Sequence, residues 1–216
     1  PFLEKLPCAL VTNVAGSTQD EYCEVISRLE IRDSIWGYEV NISCPNVKHG
    51  GMAFGTDPDQ TYNLTSSLRK LTSKPLILKL SPNVTDITVI ARAAQDGGAD
   101  AVSCINTLVG MVIDTKRKRP VLPMKTGGLS GPAIRPVGVA LTYKVSRAVT
   151  IPVIGMGGIL NADDAIQYLL AGASAVQIGT GNFIDPKIAP RVLDGIQKYA
   201  SEHNLESISD FHSFLD

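Results

Sequence analysis

A chain of 216 residues with 44% hydrophobic and 19% charged side chains is long enough to bury one sizeable core and too apolar to stay disordered. Its 20 basic and 21 acidic side chains leave a net charge of -1, which gives no field to collect nucleic acid or an anionic membrane, so any anion has to be bound locally. The four cysteines, Cys8, Cys23, Cys44 and Cys104, form neither a CxxC pair nor a disulfide or zinc spacing, and this fits a reducing cytosol.

No apolar run approaches the roughly 18 residues of a membrane span. The start, from Pro1, lacks the layout of a signal peptide and an initiator Met, so a soluble, cytoplasmic protein with upstream sequence absent is expected. Short runs rich in Val, Ile, Leu and Ala then recur at residues 9–14, 37–42, 75–80, 101–105, 152–155 and 175–178. Between most of them lie helical spacings, at 61–71, 84–96, 132–148, 162–171 and 188–201. Such alternation predicts βαβ units and a parallel sheet. Two helix-to-strand joints, at residues 96–101 and 171–175, place Gly where a helix end needs positive φ.

A doubly wound sheet would put its phosphate loop after the first strand, whereas the Gly-rich turns here follow the last two, as in a barrel. An eight-stranded barrel takes about 250 residues. The expected fold is therefore an α/β (β/α)8 TIM barrel that is incomplete, with strands 3–8 present and the first two βα units absent. Residues 1–216 form one partial barrel domain in this reading. Residues 108–126, with Lys116-Arg117-Lys118-Arg119 and two prolines, are expected to make a hairpin-like excursion over the barrel mouth.

The first strand ends near Asn13, and the second leads into Asn41-Ile42-Ser43-Cys44-Pro45-Asn46, at the catalytic face of a barrel. Gly50 to Gly55 reads as a lid with an apolar tip. Lys79, in the third strand, is costly to bury unless it meets negative charge, so it is expected to face an anionic or electron-rich ring, or else a structural ion pair. Asn106 and Thr107 follow the fourth strand, and Asn41 with Asn106 suits a small, flat, polar substrate. Ser103 and Cys104 are assigned to packing. Near the end, Gly155-Met156-Gly157-Gly158-Ile159 precedes a helix start, and Ile178-Gly179-Thr180-Gly181-Asn182 adds a second set of amides. Together they predict a phosphate site strengthened by the helix dipole, with tight structural turns as the alternative, and such a site serves a phosphorylated substrate or a phosphate-bearing cofactor such as FMN alike. His49, His203 and His212 build no catalytic set, the last two lying in a polar tail, and no metal cluster is expected. A thiol, a lysine and several amides around a phosphate-anchored cofactor suit proton abstraction coupled to hydride transfer to a flavin.

At this point the motifs resemble a family. Asn-Ile-Ser-Cys-Pro-Asn (41–46), Gly-Gly-Met-Ala-Phe-Gly-Thr-Asp-Pro (50–58), Ile-Asn-Thr (105–107), Thr-Gly-Gly-Leu-Ser-Gly-Pro-Ala-Ile (126–134), Gly-Met-Gly-Gly-Ile (155–159) and Ile-Gly-Thr (178–180) together resemble dihydroorotate dehydrogenase. The membrane-associated class is less similar, because it carries Ser where this chain has Cys44. The Gly-Gly-Leu-Ser-Gly segment and the lid look most like the soluble class 1B catalytic subunit, which pairs with an FAD and [2Fe-2S] subunit and passes electrons to NAD.

The resemblance implies FMN-dependent oxidation of dihydroorotate to orotate in pyrimidine biosynthesis. It assigns Cys44 as the base for the C5 proton while C6 gives hydride to FMN, and the ordinary thiol pKa of about 8.5 suggests a rate rising toward alkaline pH. It further implies that Asn41, Asn106 and Thr107 hold the substrate. Asn13, Asn41, Lys79 and Ile105 would contact the flavin, and Gly131, Gly157, Gly158, Gly179 and Thr180 its ribityl and phosphate end. A homodimer, or a heterotetramer with the electron-transfer subunit, is the implied assembly. The family's N-terminal part, with two strands and an Asn-rich substrate loop, has no counterpart in these residues, so weak turnover is expected of the chain alone. Rival readings are a dihydropyrimidine dehydrogenase domain, against which Asn46 argues, a non-catalytic FMN-binding fragment, and a non-redox phosphate-site barrel.

Overall fold

Four apolar stretches with strand-length spacing become β1 (Leu10–Val14), β2 (Ile35–Asn41), β3 (Leu76–Lys79) and β4 (Ala101–Cys104). The structure, a computed structural model, describes residues 3–43 and 54–215. From the end of β4 the chain leaves the sheet and forms two antiparallel ribbons before returning. β5 (Leu108–Gly110) pairs with β8 (Gly127–Leu129), and β6 (Ile113–Asp114) pairs with β7 (Arg119–Pro120) between them. The sequence led us to expect one hairpin here; two nested ribbons are found. β9 (Val153–Met156) and β10 (Ala175–Gln177) then complete an all-parallel sheet ordered β1-β2-β3-β4-β9-β10.

This sheet is rolled. Four strand-to-strand steps separate β2 from β10, which in a flat sheet is about 19 Å at ~4.8 Å per step. The Gln177 Nε2 of β10 nevertheless donates to Glu39 Oε1 of β2 at 2.8 Å. The architecture is thus part of a β/α-barrel, with β1 and β10 as the edges of the described sheet.

Helices α1 (Gln19–Leu29), α2 (Pro58–Arg69), α3 (Ile87–Asp96), α4 (Arg135–Ser146), α5 (Ala162–Leu170), α6 (Gly181–Ile184) and α7 (Ile188–Glu202) follow the strands. Side chains of Thr18, Asp57, Asp86 and Asn161 cap α1, α2, α3 and α5 by accepting from first-turn amides. Gly98 and Gly172 take φ of 97° and 100° at the two joints where positive φ was expected, ending α3 and α5 before the chain enters β4 and β10. The helices cover the sheet's outer face with Tyr22, Ile26, Leu64, Leu68, Ile90 and Ala94.

Residues 203–215 correct one expectation. Instead of a polar tail, the 3-10 helix Ile208–Phe214 folds back so that Phe211 is 1% exposed against Ile166 and Leu169. Burying one phenylalanine contributes about 1.5–3 kcal/mol, and an isolated aromatic between polar residues conceals that gain in the sequence. His212 Nε2 lies 3.1 Å from the Ala173 carbonyl, so this histidine also has a packing role.

At the N-terminal end of the strands Val11, Trp36, Ile77, Ile154 and Val176 line an apolar hollow of about 630 Å³. The C-terminal strand ends carry the polar residues. Among the described residues no helix is long and apolar enough to cross a membrane.

Candidate functional site

The mouth of the partial barrel is built from the residues at and just past the C-terminal end of each strand. Asn41, the last residue of β2, accepts at Oδ1 from the Asn106 Nδ2 at 2.9 Å and from the Ser43 amide at 3.2 Å. The Tyr22 hydroxyl of α1 donates to the Asn41 carbonyl at 2.7 Å, so the strand end is fixed from behind. Asn106, just past β4, accepts from the Thr107 amide at Oδ1, and its own amide donates to Leu80. Thr107 is tied in turn through its carbonyl to the Asn83 side chain. These contacts bring together the three residues expected to bind substrate. They leave the Asn41 side-chain amide donors without a described partner. A planar ring carbonyl is a natural acceptor for them.

One step deeper lies a carboxylate that the sequence reading did not single out. Glu39, on β2, is 6% exposed and accepts from Asn13 Nδ2 at 2.6 Å, Ser103 Oγ at 2.7 Å and Gln177 Nε2 at 2.8 Å. Lys79 Nζ stands 3.7 Å from Glu39 Oε2. The side-chain period of two explains the gathering. Glu39 pairs with Asn13 in the β1–β2 register, Asn41 with Lys79, and Lys79 with Ser103, so all point to the same interior face. Lys79, expected to be buried, is 20% exposed and has a carboxylate partner. Ser103, expected only to pack, is a polar member of this layer. Since Asn41 was read as facing the site, Glu39 two residues earlier had to face the same way, and that parity was the available signal.

Cys104, by contrast, packs as expected. It is fully buried, and burial pushes its thiol up to about 12, where it stays protonated. Iodoacetamide should therefore modify the exposed Cys8 of the native protein and reach Cys104 only after denaturant is added, as read by peptide mapping. Rapid native labelling of Cys104 would contradict this burial.

The second cluster is backbone. Gly131, Gly157 and Gly158 adopt φ of 85°, 127° and 73°, conformations that L side chains rarely take. A Cβ on Gly158 would meet the Gly131 carbonyl oxygen at 2.6 Å, so the loops after β8 and β9 pack main chain against main chain. Thr180, after β10, donates from its hydroxyl to Ser130 Oγ at 3.0 Å, and a Cβ on Gly179 would enter open space. These loops converge into a cradle with room for an extended ligand. The helix dipole is less available than expected. Asn161 already caps the Asp164 amide of α5, and the buried Asp164 carboxylate accepts from the Leu160 amide and pairs with Arg135. An anion there would depend on loop amides.

Ile105 is 2% exposed, and its amide donates to the Met156 carbonyl, tying β4 to β9 between the two clusters. Cys44, and the lid residues up to Ala53, lie outside the described residues.

The family model described as dihydroorotate dehydrogenase matches residues 3–199. The chain is 50% identical, over all 216 residues, to a protein of Geobacter sp. (strain M21) named dihydroorotate dehydrogenase B (NAD(+)), catalytic subunit, of which it covers 71%. A protein of the same name from Citrifermentans bemidjiense is 49% identical with the same coverage. Among solved structures, the DHODH of Eimeria tenella in complex with ferulenol superposes with a TM-score of 0.77 at 21% identity. That match takes in 95% of this chain and 61% of the other, and at this identity it speaks for the fold alone.

Proposed function

Because the chain belongs to the dihydroorotate dehydrogenase family, we propose that it carries out the oxidation of dihydroorotate to orotate in pyrimidine biosynthesis, with NAD as the final electron acceptor. The observation that carries this reading is the joint placement of the Asn41–Asn106 pair, the Lys79–Glu39 pair and the glycine cradle at the C-terminal ends of neighbouring strands.

FMN fits these residues. The positive-φ glycines bring three loops together without side chains in the way, and Lys79 with the neighbouring amides offers donors to a polar ring. Gly131, Gly157, Gly158, Gly179 and Thr180 would hold the ribityl phosphate, while Asn13, Asn41, Lys79 and the Ile105 segment would border the ring. Bound FMN supplies the hydride acceptor for C6 of the substrate. Asn41, Asn106 and Thr107 bind and orient dihydroorotate by its amides. Cys44, three residues beyond Asn41, takes the proton from C5. Lys79 places a positive charge where the ring gains electron density.

The named relatives are catalytic subunits, which supports a second subunit in the working enzyme. FAD and a [2Fe-2S] cluster on that subunit would relay electrons to NAD, with two catalytic chains forming a dimer in the cytoplasm.

The test is direct. FMN-loaded protein, mixed anaerobically with dihydroorotate, should lose its flavin absorbance within the mixing experiment. A flavin that stays oxidised overturns the assignment. Lys79→Ala should purify with less flavin and weaken FMN binding about tenfold or more, because it leaves the buried Glu39 charge uncompensated in the same site. Full flavin content and an unaltered spectrum would remove Lys79 from the cofactor site.

A further inference from the structure

Glu39 is an acidic side chain buried in the interior of the partial barrel, a costly location, and it has no assigned role of its own among the substrate or flavin residues. Four strands each send one donor to it: Asn13 from β1, Lys79 from β3, Ser103 from β4 and Gln177 from β10. Its three hydrogen bonds run from 2.6 to 2.8 Å, whereas the Lys79 ammonium stays 3.7 Å away, beyond ordinary hydrogen-bond length. Glu39 is the only described side chain within ion-pair distance of Lys79 Nζ. The ammonium is therefore held near the carboxylate without being bonded to it, and its donors remain available to a ligand.

Resting on the FMN reading above, we propose that Glu39 is the positioning residue of this site: it aims Lys79 and Asn13 at the cofactor and, through its charge, sets the reduction potential of bound FMN. A reduced flavin is more electron-rich than an oxidised one. Lys79 favours the reduced form and Glu39 opposes it, so the pair presents a tempered positive end. Glu39 is buried and Lys79 is partly exposed, so solvent screens the carboxylate less than the ammonium.

The experiment uses FMN-loaded protein and spectroelectrochemical titration. Glu39→Gln keeps the shape and removes the charge. It should bind FMN and favour its reduced form by about tenfold more than the native protein does, a positive shift of ~30 mV for two electrons. Glu39→Asp, which keeps the charge but withdraws it by one methylene, should shift in the same direction by less. Lys79→Met should shift the potential negative.

An unmoved potential in a flavin-loaded Glu39→Gln protein overturns the proposal while leaving the FMN reading intact. Failure of both Glu39 variants to fold would assign the residue to barrel assembly and also overturn it. If the native protein takes up no FMN, the reading of the site itself falls, and the role of Glu39 with it.

Discussion

Cys44→Ser should leave FMN bound and slow its reduction by dihydroorotate by about 10²–10⁴-fold, the range that a positioned general base contributes. The substitution changes one atom. A thiol with an ordinary pKa of about 8.5 supplies an appreciable thiolate fraction near neutral pH, whereas a serine hydroxyl supplies almost none without a further base. The described residues lead up to Cys44 as far as Ser43. Ser43, the preceding residue, donates its amide to Asn41 and its hydroxyl to the Lys79 carbonyl, so the strand end enters the mouth beside the side-chain amides proposed to bind substrate. Anaerobic stopped-flow reduction measures the rate directly, free of the later electron-transfer steps. In the native protein that rate should rise with pH as the thiol ionises, and in the serine variant the rise should vanish. A serine variant reduced at the native rate would end the assignment of Cys44 as base.

The second large effect is expected at Gly158. Alanine there meets two penalties at once. Its φ of 73° costs an L-residue about 1–2 kcal/mol, and the new methyl carbon would stand 2.6 Å from the Gly131 carbonyl oxygen, with the Arg135 Cβ and the Pro132 Cα each at 3.0 Å. Overpacking against backbone typically costs about 1–3 kcal/mol more, because no flexible side chain can yield. The loops must part, and with them the amides expected to hold the FMN phosphate. Fluorescence titration should show FMN affinity about a hundredfold lower, with a lowered thermal midpoint. Affinity within threefold of native would show that the anionic end of the ligand lies elsewhere.

These effects differ in how far the sequence foretold them. The strand ends with their asparagines and the paired glycine turns are local patterns, and local chemistry causes them: an apolar run closed by a polar residue, or a glycine required by positive φ. Both could be read one segment at a time. The burial of Phe211 could not, because its partners Ile166 and Leu169 are on α5 and nothing around residue 211 betrays them. The occupancy of the α5 N-terminus was hidden for a related reason. Asp164 reads as an ordinary acidic residue of a first helical turn, yet its burial against the Leu160 amide and Arg135 makes it the group that the helix end serves.

Glu39 separates the two kinds of knowledge most sharply. The residue order alone determined that a parallel β/α sheet would form, that its C-terminal ends would carry Asn13, Asn41, Lys79, Asn106 and the glycine turns, and that Lys79 would meet an electron-rich ring or a negative charge nearby. Which residue supplies that charge was decided by tertiary structure. The partners of Glu39 stand 26, 64 and 138 residues away for Asn13, Ser103 and Gln177, and only the rolling of the sheet brings β10 across to β2. Side-chain alternation sets which face a residue takes, and that is written locally. Curvature sets which faces meet, and it arises from packing the whole sheet against its helices.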